Sequence, residues 1–198
     1  MFALILTAAL GFAVSPSLAT ANPSTEPVQG FIHHYGAEVL VTLNNSIGRF
    51  YRLSATEPQV QKSLDRLEDG DFLMAKAQLD HEAGRVVVDT IDLVGLRRLI
   101  GLWSSTSSAG FINFQSYSDV NIYSLTLPLD LSGFLSDRRQ FKYYLVPTQG
   151  REWAMMFSDG KKSRLAFMDL ENNKASLRVT DPETGRVTEE LRLQKLVQ

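Results

Sequence analysis

Apolar and polar residues alternate along most of this chain, and the period is two. Val39, Val41 and Leu43 set the pattern within Val28 to Leu43, which reads as one long first strand bent at Gly36. Asn44-Asn45-Ser46 supplies a turn, and Gly48 to Leu53 returns as a second strand. The period then lengthens. Val60, Leu64 and Leu67 fall at i, i+4 and i+7, on one face of a short helix. Thr56 followed by Gln59 predicts a capping box, with Pro58 inside the first turn, where its missing N–H costs nothing. Gly70-Asp71 ends the helical stretch. Leu73, Ala75, Ala77 and Leu79 resume the alternation as a third strand, Asp80 to Gly84 turns the chain, and Arg85 to Val94 is β-branched enough for a fourth. Asp92 to Leu99 is the candidate fifth strand.

Beyond Leu99 the helical signal disappears. Six or seven short strands follow: Gly110 to Gln115, Asp119 to Leu125, Phe141 to Val146, Glu152 to Phe157, Arg164 to Asp169, Ala175 to Thr180 and Val187 to Leu193. Ser158-Asp159-Gly160, Glu171-Asn172-Asn173 and Asp181 to Gly185 have turn compositions between the later ones. This spacing predicts an up-and-down meander, and closure into a barrel would hide its edges. The change of pattern near Arg97-Arg98 divides the chain into residues 22–98 and 99–198. The linker is very short, with no Pro or Ser run, so the two parts are expected to pack together rather than swing.

Strand, strand, helix, strand, strand, with a Gly-bent first strand and Gly70-Asp71-Phe72 after the helix, resembles an oligonucleotide/oligosaccharide-binding (OB) barrel. That resemblance implies a five-stranded barrel and names no partner, because such folds bind nucleic acids, sugars or proteins. Gly101-Leu102-Trp103, entering the first strand of the second part, is similar to the opening of lipocalins and related calycins. There the Trp plugs the closed end of a barrel and an Arg near the last strand covers it. The resemblance implies barrel-closure roles for Gly101, Trp103 and Arg192, although Arg192 alternates with Leu191 and Leu193 and so faces away from them. The expected fold class is therefore mainly β: two small antiparallel barrels, the first OB-like with one short helix, the second a lipocalin-like meander.

Composition narrows the chemistry. The chain has 198 residues, 44% apolar and 21% charged, enough for one large domain or two small ones. It has no cysteine, which excludes disulfides, thiolate metal sites and thiol nucleophiles. A net charge of −2 argues against a nucleic-acid platform, and Arg49, Arg52 and Arg66 read as ordinary solvated charges. The first 21 residues carry no charge, Phe2 to Val14 is an apolar run, and Ala19-Thr20-Ala21 fits a signal-peptidase site. Residues 1–21 are thus read as a signal peptide. The mature chain then begins at Asn22, periplasmic or secreted, with no stable membrane anchor after cleavage.

No catalytic, cofactor or metal constellation stands out. His33 and His34 are adjacent, so on a strand they point to opposite faces, and His81 lies in a turn. Gly160-Lys161-Lys162-Ser163 lacks the first glycine of a phosphate loop and reads as a cationic turn. Carboxylate pairs such as Asp69 with Asp71 and Glu189 with Glu190 read as solvated. The aromatic residues are denser in the second part, and about half of those on alternating strands are expected to face inward. Trp153 opens a strand just after the Gln149-Gly150-Arg151 turn, with Met155 and Phe157 on the same face. Trp153, Met155 and Phe157 are therefore the candidate ligand-binding or contact residues, with Trp153 expected half exposed at a rim. The function expected is that of an exported, non-catalytic binding or scaffolding protein of the cell envelope. Its partner would be a protein, a glycan or an apolar small molecule. The alternatives are carriage of an apolar ligand in the second barrel and inhibition of a secreted hydrolase.

Overall fold

A computed structural model describes residues 24–46, 48–106, 110–124, 138–181 and 183–196. Among these the chain is mainly β, with thirteen strands in one hydrogen-bonded sheet and one α-helix. Residues 1–21, expected from the sequence to be a signal peptide, lie outside the described residues.

The later eight strands are β6 (Gly101–Ser105), β7 (Gly110–Phe114), β8 (Asp119–Ser124), β9 (Arg138–Pro147), β10 (Trp153–Ser158), β11 (Ser163–Glu171), β12 (Lys174–Thr180) and β13 (Val187–Lys195). Each pairs antiparallel with the next, and β13 returns to β6, so they close an eight-stranded barrel. Closure leaves no unpaired edge on this part, as expected for a meander of short strands.

The earlier elements are β1 (Glu26–Tyr35), β2 (Glu38–Leu43), β3 (Phe50–Ala55), α1 (Pro58–Leu64), β4 (Phe72–Asp80) and β5 (Arg85–Gly95). Val28 to Leu43 is not one bent strand. It is a hairpin, β1 and β2, turning at Gly36 with φ of 61°. This split supplies the fifth strand. Asp92 to Leu99 does not, because β5 runs unbroken to Gly95 and a single 3-10 turn, Arg97–Leu99, follows. The sharp curl of β1 lies instead at Gly30, which pairs with both Leu43 of β2 and Leu73 of β4. There an added Cβ would stand 2.2 Å from the carbonyl oxygen of Thr42. β2 also pairs with β3, β3 runs parallel to β5, and β5 pairs with β4, so each of the five strands has two neighbours within the set.

The helix begins differently from the sequence expectation. Its N-cap is Glu57, which makes no side-chain cap, and Pro58 occupies the first turn. Gln61 supplies the local bond instead, reaching back one turn to accept from the Ala55 N–H at 2.8 Å. Leu64 and Leu67 are buried as their spacing predicts.

Val94 of β5 registers with Leu145 of β9 and joins the five strands to the eight. The buried side chains of both parts form one cluster, Val94, Leu96, Leu99 and Leu145 among them. Inside the barrel the bulk is uneven. Trp103, Phe114, Tyr143, Trp153, Met155 and Met168 fill the end nearest the junction, whereas the far end is lined by aliphatic side chains such as Ile112, Leu177 and Val179 together with Phe141 and Phe157.

Candidate binding site at the open end of the barrel

Gly101, at φ of 130°, starts β6 in a conformation closed to residues with a Cβ, and this brings Trp103 into the barrel floor. Trp103 is fully buried, and its Nε1 donates to the Leu99 carbonyl at 2.8 Å. Arg192 does not cover it. The Arg192 side chain is 75% exposed and stands 3.6 Å from Glu190, as period-two alternation on β13 requires. Lys195, three residues further and on the inward face, has its Nζ 5.6 Å from the Trp103 ring centroid and donates to the Arg98 carbonyl at 2.7 Å. Burial lowers its pKa.

Trp153 is 1% exposed, not half exposed. It starts a strand at the end of the barrel that faces the five-stranded part, and that part covers it. The Arg66 guanidinium lies 3.9 Å from the Trp153 ring centroid and donates to the carbonyls of Gly150, Arg151 and Glu152. Arg66 is thus no ordinary solvated charge; desolvation lowers its pKa. Met155 is fully buried on the same inward face. The exposed apolar side chain of β10 is Met156, on the opposite face, in register with Tyr144 of β9.

Phe157 behaves differently, because β10 crosses the barrel from floor to mouth. It forms part of the wall of a cavity of about 400 Å³ at the open end. Ile112, Ile122, Phe141, Leu177 and Leu191 complete the apolar wall, and Arg139, Asp159, Lys162, Arg164 and Glu189 stand around it. The size is within the usual range for a small-molecule site, and the combination of apolar wall and few polar groups is the usual composition. Alternation explains the wall. Registered partners in an antiparallel ladder share a face, so Ile112 with Ile122, and Phe157 with Tyr143, point inward together. Of the three β10 residues expected to form one contact face, only Phe157 reaches this cavity.

No family model matches the chain, and neither a curated protein nor a solved structure matches it. The functional reading therefore rests on the geometry of the site itself.

A larger groove, about 770 Å³, runs along the junction past His34, Arg66, Glu68, Arg98, Arg151 and Trp153. Its charges already have partners: Arg98 pairs with Glu68 at 2.8 Å, Arg151 with Asp169 at 2.8 Å, and Arg66 is held by three carbonyls. It is an intramolecular seam more than a vacant site. Behind it sits a carboxylate that the sequence left as solvated. Asp71 is fully buried, accepting from the Glu68 N–H at 2.8 Å and the Arg97 N–H at 2.7 Å. Burial pushes its pKa up to about 6, and these two bonds only partly offset that. Beside it, the Tyr117 hydroxyl donates to the Gly70 carbonyl at 2.6 Å while its ring meets Phe31 and Phe72.

The histidines are dispersed. His33 bonds Thr42 Oγ1, His34 bonds the Leu67 carbonyl, and His81 bonds the Tyr51 hydroxyl. Among the described residues no three His, Asp or Glu side chains are grouped to hold a metal ion, and no helix is long and apolar enough to cross a membrane.

Proposed function

We propose that this protein is a non-catalytic binding protein whose eight-stranded barrel holds a small apolar ligand at its open end. The supporting observation is the cavity of about 400 Å³ walled by Ile112, Ile122, Phe141, Phe157, Leu177 and Leu191. The two parts correspond, in this reading, to an OB-like barrel over residues 22–98 and a lipocalin-like barrel over 99–198. The pairing of β1 with both β2 and β4 supports the first, and the Trp103 floor supports the second. The first barrel then acts as a rigid platform that seals the floor of the second, and its outer strands remain free for a protein or glycan partner.

Titration with Nile red, a neutral apolar dye, tests the cavity. Saturable binding at one site is expected, and Leu191→Trp, at the half-buried mouth, should abolish it while leaving the melting temperature close to that of the parent. Absence of saturable binding, or binding unchanged in a folded Leu191→Trp protein, would refute the reading. The protein is further proposed to work outside the cytoplasm, on the strength of the uncharged leader and the Ala19-Thr20-Ala21 site. N-terminal sequencing of protein recovered from its source should begin at Asn22; a soluble form retaining Met1 would contradict export.

A further inference from the structure

The rim of the barrel cavity has a chemistry that its wall does not. Arg139 registers with Ile122 and Arg164 registers with Phe157, and both of those partners belong to the apolar wall. Both arginines therefore occupy inward positions of the ladder, at its mouth end. Lys162 joins them from the β10–β11 turn. Against these three cations stand two carboxylates, Asp159 and Glu189. Asp159 is committed to its own turn, where Oδ1 accepts from the N–H groups of Lys161 and Lys162 at 2.8 Å each. Arg139, Lys162 and Arg164 make no ion pair with any described residue. Elsewhere on the molecule Arg52, Arg85, Arg98, Arg151, Arg178 and Arg192 each lie within 3.6 Å of a carboxylate. Three cations without an ion pair thus stand where the apolar cavity opens.

Resting on the cavity reading above, we infer that the ligand is a single-chain amphiphile with an anionic head, a carboxylate or a comparable oxyanion. Its chain lies against Phe157, Ile122 and Leu177, and its head meets Arg139 and Arg164. A guanidinium presents parallel N–H donors that match a carboxylate in two-point contact, and an uncharged head cannot answer them equally. The apolar wall supplies most of the attraction and the rim decides between heads, because a head at the mouth stays partly in water.

Competition against Nile red with octanoate, 1-octanol and octyltrimethylammonium, which share one chain length, reads the head preference directly. Octanoate should displace the dye at a concentration roughly tenfold lower than octanol, and octyltrimethylammonium should be the poorest competitor. The advantage of octanoate should shrink as salt is raised. The double variant Arg139→Gln/Arg164→Gln should erase that advantage while Nile red still binds, since both residues are exposed and contribute little to the core. Equal displacement by octanoate and octanol, or an octanoate advantage that survives the double variant, overturns anion selection while the cavity reading stands. Failure of Nile red to bind the parent protein overturns both.

Discussion

Asp71 illustrates how one side chain can tie stability to pH. Its carboxyl is fully buried beside Glu68, and desolvation raises its pKa from the ordinary 3.8 to about 6, against the pull of two backbone N–H donors and the nearby Arg98. A folded state that holds the proton more tightly than the unfolded one gains stability at low pH and loses it as pH rises through the folded pKa. The effect is on the order of 2–3 kcal/mol, lost between about pH 4 and pH 7. Other carboxylates act in the opposite sense. The Lys142 side chain holds Asp119 below its ordinary pKa, and turn N–H groups do the same for Asp159 and Asp181, so their support fades only as pH falls through that lowered range. Stability should therefore peak near pH 4–5. Urea unfolding of the parent should show a higher midpoint at pH 5 than at pH 7.5, and Asp71→Asn should flatten that difference. A parent more stable at pH 7.5 would contradict the assignment.

At the scale of the element, β1 shows why a glycine's position matters more than its presence. The first half of β1 pairs with β4 and the second half with β2, and the two pairings overlap at Gly30 and Phe31. To serve both partners the strand curls so tightly that a methyl group at Gly30 would strike the Thr42 backbone, which has no room to withdraw. Gly36 is the opposite case: its turn has open space around it, and only its φ of 61° disfavours a side chain. Gly36→Ala should cost roughly 1 kcal/mol, the price of a left-handed alanine. Gly30→Ala should cost more, about 2–3 kcal/mol, because overpacking against backbone has no local remedy. Denaturant midpoints of the two variants give the ranking, and a smaller loss at Gly30 would show that β1 does not need its curl there.

For the whole molecule, the telling feature is how many kinds of contact cross the junction. β5 pairs with β9, Arg66 lies on Trp153 and Tyr117 bonds Gly70. Lys195 bonds the Arg98 carbonyl, and Gln59 donates to the Gln149 carbonyl at 3.2 Å. Gly95 contributes by omission, since an added Cβ there would lie 2.5 Å from the Tyr117 ring. An interface of this kind, built from a shared sheet and a continuous core, couples the unfolding of its two sides. Calorimetry should record one cooperative transition for the full chain. Two well-separated transitions would mean that the halves unfold independently and that the seam is weak.

Much of this was legible in the residues. Period-two alternation predicted most of the strands, period 3.6 predicted α1, and the turn compositions predicted the later hairpins, because each depends on neighbours close in sequence. The same alternation placed Arg192 on the outward face of β13. What sequence could not decide was which surfaces meet. Trp153 reads as a rim residue until Arg66, distant in the chain, is laid across it; Asp71 reads as solvated until β5 and the Arg97 turn close over it. The cavity is of the same kind. Ile122, Phe141, Phe157 and Leu177 come from separate strands, and only closure of the barrel brings them round one space, with Arg139 and Arg164 at its mouth. Local periodicity fixes which way a side chain points along its own strand. What stands opposite is set by long-range pairing, and that decided both the buried charge and the cavity.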